Sequence, residues 1–153
     1  MAGTFAPSDA LRGLAWGVDG AALVTASALL AVHFIRAGHT QPAAGFLVFV
    51  AGETLIVSGS AMDLAASAPL FGAGAGLWAA ALTLISSSAA YSKVLRALGL
   101  VAAILLASVA VQIFVGRPLT ALSSPLPFFA YPFLAATLIG WAWHHSRTRR
   151  PTV

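Results

Sequence analysis

Glu53 stands where an acid is least welcome. It lies inside an apolar run of residues 43–64, about ten residues from either end. A charged side chain at the centre of a lipid-embedded helix costs about 2.5–3.5 kcal/mol or more, so it should face the interior of a bundle and find a partner there. Two kinds of chemistry follow. Glu53 could be a carboxyl that handles a proton or a cation within a transport path. It could equally be a neutral, structural acid hydrogen-bonded between helices to a hydroxyl at similar depth, such as Thr25, Thr83 or Ser108. No second mid-membrane acid or base completes a relay, which ranks the structural role first. Asp19 and Asp63 fall near the face opposite the basic patches, and Gln112 lies at similar depth on the fourth run. Together they could form an acidic vestibule leading to Glu53. The simpler expectation is interfacial solvation for Asp63 and a helix-end hydrogen bond for Asp19.

The histidines form a second constellation. His33 and His39 close the first apolar run, and His144 and His145 close the fifth. Imidazoles on neighbouring helices at one depth could ligate a haem or a divalent metal. Neither pair has the spacing of three or four residues that places two histidines on one helical face, and residues beside Arg36 and Arg147 are ordinarily interfacial. The expectation is therefore no cofactor. Other catalytic patterns are missing: Gly72, Gly74 and Gly76 lie in an apolar run without a nearby lysine, and no serine sits in a nucleophile elbow. Ser86, Ser87 and Ser88 are expected to return their hydroxyls to the helix backbone. The chain has no cysteine, which excludes disulfides and thiolate chemistry.

The elements that must position these groups are membrane helices. Hydrophobic residues make up 59% of the 153 residues and charged residues 8%, against about 25% in a soluble domain. Apolar runs cover about residues 14–35, 43–64, 69–90, 94–115 and 126–143, each close to the 20 or so residues that cross a hydrocarbon core. They predict a single all-α domain, a polytopic transmembrane bundle of five spans followed by a basic tail at 144–153. Strands would require polar–apolar alternation, which is absent. Residues 36–42, 63–69, 91–93 and 117–127 form the breaks, with Pro69 suited to a first helical turn. Pro132 lies inside the fifth run and should kink or shorten it; a four-span variant would leave that segment at the interface. The opening seven residues carry no Lys or Arg, and no small-residue cleavage site follows, so the first run reads as a retained span.

Orientation follows from the basic residues. Arg36, Lys93, Arg96, Arg147, Arg149 and Arg150 gather on one side, and Arg12 and Arg117 on the other. The C-terminus is thus expected in the cytoplasm and the N-terminus outside. Trp141, Trp143 and Tyr91 are placed in an aromatic belt at the inner boundary, and Trp16 at the outer one. The arginine tail suits anionic headgroups rather than nucleic acid.

Small residues recur at four-residue spacing as Gly13, Gly17, Ala21 and Thr25, as Gly72, Gly76 and Ala80, and as Gly99, Ala103 and Ala107. Gly45, Gly52 and Gly59 recur every seven, a seam suited to a left-handed crossing. Such patterns favour a compact bundle and allow self-association or a place in a larger membrane complex. The Ala, Gly and Arg bias suggests a bacterial gene and hence the bacterial cytoplasmic membrane. Three functions remain, in order: a non-enzymatic accessory or structural membrane subunit; a proton-linked small-solute transporter coupled through Glu53; and a haem- or metal-binding redox subunit.

Overall fold

A computed structural model describes residues 8–59, 64–117 and 126–148. Within them run five helices and no strand: α1 Asp9–Arg36, α2 Thr40–Gly59, α3 Leu64–Ser87, α4 Lys93–Phe114 and α5 Leu126–Thr148. Asp63, Arg149, Arg150, the opening seven residues and residues 118–125 lie outside the described residues, and so do the side chain of Arg12 and that of Pro127.

Four of the helices contain segments long and apolar enough to cross a membrane: Gly13–Arg36, Thr40–Gly59, Ala66–Ser87 and Lys93–Phe114. Their outer surface is apolar as well. Leu14, Val18, Leu29, Val94, Ile104 and Ile139 are each more than 60% exposed, an arrangement water would penalise and lipid does not. Helix α5 has 23 residues and continues through Pro132, so the proline does not shorten it.

The start of α3 differs from expectation. The chain is already helical at Leu64, and Pro69 stands inside α3 rather than opening it. The Leu–Ala–Ala stretch ahead of Pro69 favours helix strongly enough to extend it backwards, and the proline removes only the hydrogen bond to the Ala65 carbonyl.

Helix ends are closed by short-range chemistry. The Ser8 and Ser92 hydroxyls accept from the backbone N–H of Leu11 and Leu95, capping α1 and α4. At the far end of α1, Gly38 adopts φ 76°, and the His39 N–H reaches the Phe34 carbonyl at 2.9 Å. Gly116, at φ 82°, ends α4 the same way, with the Arg117 N–H on the Gln112 carbonyl at 3.0 Å. Both are Schellman motifs, which need a left-handed residue just past the helix.

Each helix packs antiparallel on the next in sequence. The heptad glycines form the seam between α2 and α3. A Cβ on Gly45 would stand 2.6 Å from Ile85, one on Gly52 would stand 3.0 Å from the Gly74 carbonyl, and one on Gly59 would meet Leu70 at 3.4 Å. The contacts on α3 also step by seven residues, so the two backbones stay in register along the seam. Gly72 against Ile113, and Gly99 against Ser86, do the same between α3 and α4. The α1 stripe behaves differently: nothing stands within 4 Å of a Cβ at Gly13 or Gly17, and Ala21 and Thr25 are exposed too.

Antiparallel packing gathers the ends of α1, α3 and α5 with the starts of α2 and α4. That end, the basic end, carries Arg36, Lys93, Arg96 and Arg147 and all four histidines. Arg96 Nε donates to the Ser86 carbonyl at 2.9 Å, and Gln41 Nε2 donates to Ser87 Oγ at 2.7 Å, so two side chains tie down the last turn of α3.

Candidate functional site

Glu53 is 4% exposed, and its Oε2 has no hydrogen-bond partner among the described residues. The close approach of α1 explains the burial. Gly20 lies directly against α2, and a Cβ there would meet Val57 and stand 3.2 Å from Glu53 Oε1. Glycine therefore opens the space the carboxyl fills. The residue before it, Asp19, is exposed and within electrostatic reach of Glu53. Tyr131 of α5 is also within electrostatic reach, a neighbour sequence reading missed because nothing in the chain's order brings α5 to α2. One buried acid, a second acid and a phenol thus come together from three helices.

The hydroxyls expected to satisfy Glu53 do not. Thr25 donates to the Ala21 carbonyl, Thr83 to Ala79 and Ser108 to Ile104, each at 2.8 Å. Each spends its proton on the carbonyl four residues back, the ordinary habit of such residues in helices. Three buried side-chain polar atoms among the described residues lack partners: Glu53 Oε2, Trp78 Nε1 and Ser86 Oγ. Of these groups only Glu53 is ionisable, and leaving a buried polar group of any kind unmet costs about 1–3 kcal/mol or more. Ser86 therefore also departs from expectation, since its hydroxyl faces Gly99 of α4, whereas Ser87 does donate to the Thr83 carbonyl at 2.6 Å. Gln112 is not brought to the acids. It is half-buried near the end of α4, a helix that packs on α3 and α5 and on neither α1 nor α2.

A second cluster occupies the basic end. Phe34 of α1 stacks on Phe46 of α2 at 5.7 Å, Phe46 meets Trp141 of α5 edge-on at 5.3 Å, and Trp141 lies 5.6 Å from Tyr91 of the α3–α4 loop. His145 sits over Phe34 at 5.5 Å, and its Nε2 is 3.0 Å from the Tyr91 hydroxyl. Burial pushes the Tyr91 phenol well above its usual pKa, so it keeps its proton. Tyr91 and Trp141 are 4% and 2% exposed, which corrects the belt assignment for both. Their aromatic mass is spent inside the bundle, because α5 carries Trp141 inward against α2. Trp143 does face outward, 60% exposed, with the Arg147 guanidinium 4.4 Å above its ring.

His33 meets His145 edge-on at 5.4 Å, and His144 and His145 adjoin at the same distance. His39 lies 6.2 Å from Phe34. Among the described residues no group of three or more His, Asp or Glu is placed to hold a metal ion. Comparison with protein-family models, with curated proteins and with solved structures gave no match.

Proposed function

We propose that the chain is a small, non-enzymatic, multi-pass integral membrane protein that takes up and passes a proton at Glu53, as the coupling step of small-solute transport. The carrying observation is the buried Glu53 Oε2 without a partner among the described residues, with Asp19 within electrostatic reach. The hydroxyls expected to hold a purely structural acid donate to their own helices instead. Two carboxyls on adjacent helices suit a single positive charge arriving between them, and a proton needs no large cavity. In this reading all five helices span a bacterial cytoplasmic membrane, the basic end faces the cytoplasm, and Asp19 lies on the outer approach. The test is proton flux into lipid vesicles that hold a pH-sensitive dye, with a potassium gradient and valinomycin as the drive. Wild type should dissipate the gradient at least tenfold faster than Glu53→Gln; equal rates from two equally folded proteins would sink the reading.

A second reading, an accessory subunit, is supported by surfaces free of packing. Gly76, Ala80, Thr83, Ala103 and Ala107 line a shallow open groove between α3 and α4, and the small-residue stripe of α1 points away from the bundle. Either could receive a helix of another chain or a second copy. Co-purification of a stoichiometric partner in mild detergent would favour it, and a monodisperse lone protein would count against it.

A further inference from the structure

We infer that the aromatic cluster at the basic end is the closed gate between Glu53 and that side of the membrane, and that it opens by movement of α5; the inference rests on reading Glu53 as the proton site. Three observations converge on it. First, α5 approaches α4 closely, but no Cα of α5 comes within 8 Å of one in α1 or α2. The seam between α5 and those helices is bridged by side chains alone. Interfaces of this kind part without breaking close backbone packing, in contrast to the glycine seam of α2 and α3.

Second, the bridging groups lie in order along the seam. Tyr131 of α5 lies within electrostatic reach of Glu53. Two helical turns toward the basic end, on the same face of α2, stands Phe46, which Trp141 covers. On α1 the buried positions Gly20, Ser27 and Phe34 follow at seven-residue steps, running from the Glu53 level down to the cluster. Ser27, 4% exposed, is thus a small polar step between the acid and the aromatic rings.

Third, the cluster draws its rings from α1, α2, α5 and the α3–α4 loop, and a polar contact helps to tie it shut. The Tyr91 hydroxyl on His145 Nε2 joins the loop to the end of α5. While Trp141 and His145 stay seated, Phe34 and Phe46 seal the path; when α5 swings outward both leave together.

The chain has no cysteine, so a single introduced thiol reports without background. Ser27→Cys in vesicles is exposed to a membrane-impermeant methanethiosulfonate from the side that carries the basic end. Labelling should be slow with the cluster intact, at least tenfold faster after Trp141→Ala, and raised less by Tyr91→Phe. Should Trp141→Ala not fold, Phe46→Leu and Tyr91→Phe carry the comparison. Equal labelling rates in folded variants overturn the gate. Adding Glu53→Gln separates the two ideas. Unchanged labelling across the cluster variants, with flux still dependent on Glu53, removes the gate and keeps the proton site. Faster labelling with flux indifferent to Glu53 keeps the gate and removes the proton site.

Discussion

Gly52 of α2 and Gly74 of α3 face each other across the bundle's tightest seam: a Cβ on Gly52 would stand 3.0 Å from the Gly74 carbonyl, and one on Gly74 would stand 2.9 Å from the Gly52 carbonyl. In lipid, where apolar side chains gain nothing by leaving the tails, such backbone proximity is what holds helices together. The seam fixes α2, and with it the position of Glu53, one residue along.

Gly52→Ala should therefore lower stability by about 1–3 kcal/mol, because the new Cβ would crowd the Trp78 ring and the Gly74 carbonyl, and the latter is backbone that cannot move aside. Gly17→Ala is the control. Nothing stands within 4 Å of that Cβ, and removing a helix-interior glycine should be neutral or stabilise by up to about 1 kcal/mol. Reversible unfolding in mixed micelles measures both; equal losses would show that the seam is not where the stability lies.

The burial of Tyr91 predicts a pH effect with a definite sign. A phenol whose folded pKa is raised contributes stability that is fully present below its unfolded value, about 10, and is lost as pH rises beyond it. Thermal stability in detergent should fall above about pH 10, and Tyr91→Phe should show a smaller fall. At neutral pH that variant should lose about 1 kcal/mol, the usual worth of one buried hydrogen bond.

Arg96 ties the last turn of α3 to α4 through the Ser86 carbonyl. Arg96→Gln should cost about 1.5–3 kcal/mol, the range for hydrogen bonds from a charged donor, reduced where water reaches the group. Arg147→Gln, whose guanidinium lies over the exposed Trp143 ring, should cost less than half of that. Urea or dodecyl-sulfate titration distinguishes them.

Thr25→Val and Ser108→Ala address the structural alternative for Glu53. Both hydroxyls donate to their own helices, so neither change should alter proton flux by more than about twofold. A tenfold loss in either would make that hydroxyl a partner of the acid after all.

Much of this was legible in the sequence. Five apolar runs gave five helices, and the seven-residue recurrence of Gly45, Gly52 and Gly59 marked the α2–α3 seam, because a heptad pattern of small residues has few other uses. Glu53 stood out for its surroundings alone. The start of α3 was misplaced because proline was weighed above the helix-forming residues ahead of it. Tyr91 and Trp141 were assigned to the lipid boundary because a belt residue and a core residue near a helix end look alike until the neighbouring helix is placed. The engagement of Thr25, Thr83 and Ser108 was readable from the i−4 habit of helical hydroxyls, the rule already applied to the serines at 86–88. The pairing of Asp19 with Glu53 depends on the register of α1 against α2, which Gly20 sets and no local pattern reveals.

The central claim is that Glu53 exchanges a proton with water across this protein. Infrared difference spectra between acidic and alkaline buffer, recorded on the protein in lipid, test it most directly. The account predicts a titrating carboxyl band that is absent from Glu53→Gln and shifted in Asp19→Asn. Identical spectra from wild type and Glu53→Gln would contradict it.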